Sequence, residues 1–246
     1  MQEHRTINGP DGEFGLRVHR PDADAPHPVV LFFHHGPGLD DDSKDAMRIL
    51  ADAGYYVAAP DRSYRHAPWL TYDVGSLVAQ GMDSPAFQEF VQVLLSTSDD
   101  MVDTDLVAVL DHLSGDPAAR TAPLGCIGYC IGARTVLVAM TRHPSVFGAG
   151  VALHPSFCVT DQDDSPHLAV PTIRGSLYIG IGAEDDISSA QQNEPLVNAA
   201  AALGQRAKVE IHPGAGHGFA VPGHAWHETA ASRSYAAAFG LFESLR

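Results

Sequence analysis

Residues 28–35 read PVVLFFHH, an apolar run that stays unbroken until its two closing histidines. A strand with one wet face alternates apolar and polar side chains; a run without alternation needs cover on both faces. A helical stretch follows it, SKDAMRILADAG (43–54). Ser43 is placed to cap it, Ala46, Met47, Ile49, Leu50 and Ala53 are apolar, and Gly54 can end it. The pattern then repeats. YYVAAPD (55–61), LGCIGY (124–129), FGAGVALHP (147–155), GSLYIGIGAEDD (175–186) and AKVEIHPGAGH (207–217) read as strands. IGARTVLVAMTRH (131–143) and the stretches 189–203 and 226–245 read as helices. Such alternation predicts a mostly parallel central sheet with helices on both faces. A chain of 246 residues, 45% of them apolar, suits one such α/β domain over 1–246. Residues 63–100 break the pattern: they fit no strand and carry Trp69, Tyr72 and Phe87. That segment reads as a helical insertion or lid.

Charge narrows the function classes. A net charge of −15 argues against nucleic acid and anionic membranes, which need clustered basic residues. No run of eighteen apolar residues is present, so no membrane span is expected. The opening MQEHRTINGPDGEFG has no apolar core of a secretory signal, so the expected location is cytoplasmic. Three cysteines, Cys126, Cys130 and Cys158, do not suggest a disulfide framework. No cofactor or metal is expected: the C-x₃-C pair lacks a second pair, and HAWHE (224–228) lacks a third ligand. The expected assembly is a monomer or homodimer.

Within GCIGYCIGAR (125–134), Gly128-Tyr129-Cys130-Ile131-Gly132 has the form G-x-nucleophile-x-G, with strand before it and helix after. A sharp strand-to-helix turn exposes its central side chain and excludes a Cβ at both flanking positions. It also leaves the thiol at a helix N-terminus, where free amides favour thiolate. Cys126, inside the strand, reads as a small buried residue. Two further strand ends carry what such a nucleophile needs, in the order acid then base. GAEDD (182–186) supplies a carboxylate, Asp185 or its neighbour Asp186. HPGAGHGF (212–219) supplies His217 between Gly216 and Gly218. His154, beside Pro155 at another strand end, and Tyr129 are candidates to touch substrate or thiol.

The chain resembles the dienelactone hydrolase family of α/β hydrolases. The family's G-Y-C-x-G elbow is matched by Gly128 to Gly132, its G-x-x-D by Gly182 to Asp185, and its G-A-G-H-x-F by Gly214 to Phe219. The resemblance implies an α/β-hydrolase fold and covalent catalysis on a small ester or lactone substrate. Cys130 would attack, His217 would move the proton and Asp185 would orient the imidazole. The oxyanion would take backbone amides from Ile131 and from Gly36 in HHGPG (34–38); Pro37 has no N–H to give. Two positions depart from the family pattern. His35 stands where the family carries a glutamate near the resting thiol, so it too is a candidate thiol contact. Val221 stands where the family has an arginine for a substrate carboxylate, which favours a less charged ester or lactone. HHGPG also resembles an oxyanion segment of some iminopeptidases. A thioesterase or peptidase of the same fold therefore stays open, as does a non-catalytic ligand-binding or thiol-sensing protein.

Overall fold

The computed structural model describes residues 1–22 and 25–246. Eight strands form one sheet: β1 (Gln2–Gly9), β2 (Gly12–His19), β3 (His27–Phe33), β4 (Tyr56–Pro60), β5 (Ala119–Tyr129), β6 (Phe147–Leu153), β7 (Ser176–Gly182) and β8 (Ala207–His212). Their order is β1-β2-β4-β3-β5-β6-β7-β8. β1 and β2 pair antiparallel, β2 is antiparallel to β4, and every pairing from β4 to β8 is parallel. The helices are α1 (Asp41–Asp52), α2 (Val74–Ala79), α3 (Pro85–Ser96), α4 (Asp99–Ser114), α5 (Ile131–Arg142), α6 (Pro166–Ala169), α7 (Glu194–Ala201) and α8 (Glu228–Phe242).

Both faces of the sheet are covered, as the unbroken run at 28–35 requires. Alternate residues of β3 part company: Val29, Leu31 and Phe33 pack with α4, α5 and α7, while Val30 and Phe32 pack with α1 and α8. The two cores share the sheet as their common wall, and burying both fixes the strand register. Parallel strands so arranged put the loops after β3, β5, β6, β7 and β8 on one edge of the sheet.

The six strands read from the sequence all form, mostly ending two to five residues earlier than read. The hairpin of β1 and β2 was not read. Its signal was the Gly9-Pro10-Asp11-Gly12 turn, with Ile7, Phe14, Leu16 and Val18 buried on one side. At α1 the cap is Asp40 and not Ser43. The Asp40 carboxylate accepts from Ser43 N at 2.8 Å, and Ser43 lies buried in the first turn with Oγ donating to the Gly38 carbonyl. The earlier start follows from charge: Asp40, Asp41 and Asp42 crowd the positive end of the helix. Residues 63–100 contain α2, α3 and the first residues of α4. α3 lies over the loop after β3, where a Cβ on Gly36 would press on the Phe90 ring and on Leu94. Arg62 ties the segment down, its guanidinium donating to the carbonyls of Leu94 (3.0 Å) and Thr97 (3.2 Å).

Candidate active site

One residue, Cys130, separates β5 from α5. Its backbone sits at φ 54°, ψ −116°, a strained setting for any residue but glycine. Three bonds hold it there. Cys130 N–H donates to the Leu153 carbonyl (3.0 Å), and its own carbonyl accepts from Ala133 N (3.0 Å) and Ser156 N (3.3 Å). The flanking glycines are required by space. A Cβ on Gly128 would strike the Gly132 carbonyl, and one on Gly132 would strike the carbonyls of Phe33 and His34. Gly132 thus lets the start of α5 press against the end of β3. Ile131 and Gly36 are therefore presented by the two segments in contact. The amide of Ile131, at the first helical position, has no carbonyl within the helix to bind.

The loops after β7 and β8 are joined by their backbones. Ala183 N–H donates to the His212 carbonyl and Glu184 N–H to the Ala215 carbonyl, each at 3.0 Å. A Cβ on Gly182 would strike the Ala215 carbonyl. This junction brings His217 Nδ1 to 2.8 Å from Asp185 Oδ2. The other carboxylate oxygen accepts from Ile187 N (3.0 Å) and Ser188 N (2.8 Å), so the fully buried carboxylate is held on both sides. Asp186 is exposed.

His217, bonded to Asp185, also interacts electrostatically with the Cys130 thiol. Burial alone would push the Cys130 thiol up. The charge and hydrogen-bonding contact of His217 outweigh it, helped by Ser156 and the more distant His35, and hold the thiol below its ordinary value. Burial likewise pulls His217 down, but the facing thiolate and Asp185 reverse this and raise it. Each shift is toward the charged form of its group. The other two thiols contrast with Cys130. Cys126 and Cys158 are wholly buried, and burial drives both far up.

The remaining candidates divide. His154 is in the site: its ring stands edge-on to His217 at 4.8 Å, is fully buried, and has neither nitrogen hydrogen-bonded. Burial, then the charges of His217 and His35, keeps it neutral. Tyr129 is not placed as a substrate or thiol contact. It is fully buried against Phe32, and its hydroxyl lies 2.9 Å from that of Tyr235. Strand alternation explains this, since Tyr129 belongs to the core shared with α1 and α8. His35 turns its Nε2 to Asp40 (3.1 Å) and reaches the thiol only through space. Val221 is buried in the core. His227 of HAWHE caps α8, its Nδ1 accepting from Ala230 N. Among the described residues no three His, Cys, Asp or Glu side chains are grouped to hold a metal, and no helix is long and apolar enough to cross a membrane.

Three residues escaped the sequence reading. Ser156 lies against Cys130, and Ser188 and Asn193 both donate to the Pro155 carbonyl, at 2.7 and 3.2 Å, fixing the loop that carries it. The HPSF stretch (154–157) after β6 was the available signal, but no spacing in it points to the elbow.

Comparison with known proteins agrees with this architecture. A protein of Methylorubrum extorquens named "Putative carboxymethylenebutenolidase" is 28% identical over 203 residues, covering 79% of this chain and 64% of that one. The crystal structure of a "Putative Dienelactone Hydrolase" from Klebsiella pneumoniae superposes with a TM-score of 0.83 at 21% identity, over 99% of this chain and 98% of that one. The Pyrococcus horikoshii acylaminoacyl peptidase shares the fold at a TM-score of 0.73 and 16% identity, over 98% of this chain but only 41% of the peptidase. The profile of the Dienelactone hydrolase family matches residues 14–245, from β2 to the last turn of the chain. With the α/β-hydrolase sheet and the elbow at its centre, the chain belongs to the dienelactone hydrolase family.

Proposed function

We propose that this family member is a cysteine-dependent hydrolase of small esters or lactones, working through an acyl-enzyme. The observation that carries the reading is the 2.8 Å contact of His217 with the buried Asp185, on the far side of an imidazole that faces a strained, helix-end thiol. The Cys130 thiolate attacks the carbonyl carbon. The oxyanion that forms takes hydrogen bonds from the amides of Ile131 and Gly36. On collapse the C–O bond breaks, and the His217 imidazolium gives its proton to the leaving alkoxide, which in a lactone stays tethered to the acyl group. Water then attacks the thioester, with His217 accepting a proton and Asp185 steadying the imidazolium. The thiolate leaves and the pair is restored.

The name of the Methylorubrum relative points to a butenolide bearing a carboxylate. Val221, buried, offers that carboxylate nothing. A lactone or ester of lower charge fits better. A free nucleophilic thiol also suits a reducing compartment, and the cytoplasm is the location this reading takes. A panel of p-nitrophenyl esters, butenolides and an acylaminoacyl p-nitroanilide tests the proposal. Turnover of esters and lactones is expected; turnover of the anilide alone would transfer the chain to the peptidases, and binding without turnover would make it a sensor.

A further inference from the structure

The loop after β6 plays no part in the mechanism above, yet it is tightly held. His154 and Phe157 both adopt positive φ, 36° and 57°. Non-glycine residues stay in that region only where their surroundings over-determine them. Here His154 N–H donates to the Gly180 carbonyl at 2.8 Å, Ser188 and Asn193 grip the Pro155 carbonyl, and Arg134 donates to the Phe157 carbonyl. What the loop delivers is Ser156. Its N–H donates to the Cys130 carbonyl at 3.3 Å, and its side chain is 2% exposed. Its hydroxyl has no partner in hydrogen-bonding geometry, sulfur included, while its backbone bond to Cys130 places it beside that residue. A buried hydroxyl without an acceptor is unfavourable. Catalytic hydrogen bonds are often loose before substrate binds, and a charged sulfur is the acceptor that would draw this one in.

We propose that Ser156 is a further catalytic residue, its hydroxyl donating a hydrogen bond to the Cys130 thiolate beside the one from His217. The proposal rests on the reading of Cys130 as nucleophile. A second donor has two opposed consequences. It favours thiolate over thiol, and it makes that thiolate less nucleophilic, because nucleophilicity falls with basicity. Acylation removes the charge and with it most of the bond.

Other groups also face the sulfur: His217 backed by Asp185 from the loops after β8 and β7, and His35 paired with Asp40 after β3. His154 is buried and neutral against His217, and the thiol of Cys158 is near. Arg62, bound to the carbonyls of Leu94 and Thr97, feels the thiolate charge, with the Arg134–Asp99 pair beyond it. None of these is altered by removing the Ser156 hydroxyl, so a change on its removal belongs to that hydroxyl.

The test is the rate of Cys130 alkylation by iodoacetamide against pH, by peptide mapping, in the full-length parent, Ser156→Ala and Ser156→Thr. With a Brønsted slope of about 0.4–0.5, Ser156→Ala should move the inflection up by about one pH unit. Well below the inflection alkylation should slow about 3-fold, and on the alkaline plateau it should quicken about 3-fold, so the two profiles cross. Ser156→Thr, which keeps the hydroxyl, should follow the parent. If Ser156→Ala does not fold, Ser156→Gly serves for the same comparison. Coincident profiles, or a threonine variant that shifts as far as alanine, would overturn the proposal. If Ser156→Ala shifts the profile but the parent turns over no ester or lactone, the hydrogen bond to Cys130 stands and the hydrolase reading falls.

Discussion

Two parts of the molecule surround the thiol, and different forces hold them. The strand-end loops at 128–132, 183–188 and 212–219 are fixed by backbone hydrogen bonds and by close approaches that only glycine allows. The cover at 62–98 is tied to the loop after β3 by one backbone bond, Tyr72 N–H to the Pro37 carbonyl (2.9 Å), and beyond that is held mainly by side chains. Arg62 reaches the carbonyls of Leu94 and Thr97, and Phe90 packs edge-on against Tyr72 and Phe87. α2 buries no residue at all, and α3 buries only Phe90 and Leu94. A segment with so few buried apolar contacts lies at the low-stability end of its fold and can open without the rest. The difference teaches where chemistry and access are written. The candidate reacting atoms are placed mainly by backbone, and the segment lying over them is held mainly by contacts that can part.

Two substitutions strike the rigid part. Cys130→Ala should reduce ester turnover on the order of 10⁵-fold or more, since removing a nucleophile leaves only the remaining binding and oxyanion contacts. The melting temperature should change little, because the positive φ of Cys130 suits alanine no worse than cysteine. Iodoacetamide should label Cys130 long before Cys126 or Cys158; a map showing Cys126 modified first would break the assignment. Asp185→Asn comes next, with a loss on the order of 10⁴-fold by analogy with the serine triad, where the amide enforces the wrong imidazole tautomer. Asp186→Asn, on an exposed side chain, should leave the rate within a few-fold. The reverse ranking would hand the acid's role to Asp186.

Phe90→Ala strikes the cover. A buried phenylalanine truncated to alanine costs about 3 kcal/mol or more where the site cannot collapse. Here the loss should appear locally, as faster proteolysis between residues 62 and 98, with the global melting temperature nearly kept. KM should rise several-fold and Cys130 alkylation should quicken. A variant that instead melts as a whole would show that the cover belongs to the core, and the comparison would fail.

The same contrast explains what the sequence disclosed. Buried parallel strands leave unbroken apolar runs, so β3 to β7 could be read, and a backbone approach leaves glycine at a fixed offset, which marked the segments that carry Cys130, Asp185 and His217. The β1–β2 hairpin left a weaker signal, its few apolar residues spread among polar ones and only the turn at residues 9–12 to mark it. Tyr129, next to Cys130 in sequence, turns into the core beneath the site, where its ring packs on Phe32 and His154. Ser156 stayed hidden because its place depends on a loop folding back from β6, and that loop is shaped by Ser188, Asn193 and Arg134, which are distant in sequence. Contacts made by side chains across elements leave no period to find.

His35 lies between the two parts and gives the smallest effect. It follows β3, next to the oxyanion segment, yet its Nε2 is committed to Asp40 at 3.1 Å. Asp40 is partly buried; burial raises its carboxyl, but the bonds to His35 and to the Ser43 amide outweigh that and hold it at about 2. Any positive charge on His35 faces the Asp40 carboxylate, so its pull on the thiol is the remainder of two opposed charges. His35→Gln can still donate to Asp40 but carries no charge. The alkylation inflection of Cys130 should therefore move up, because a positive neighbour has been lost, but by about 0.3 pH unit or less at an effective dielectric near 20. Raising the salt concentration should shrink the difference further. A shift of a full unit would mean that His35 leaves Asp40 for the sulfur, and activation of the thiol would then belong to the flexible side of the site as well as the rigid one.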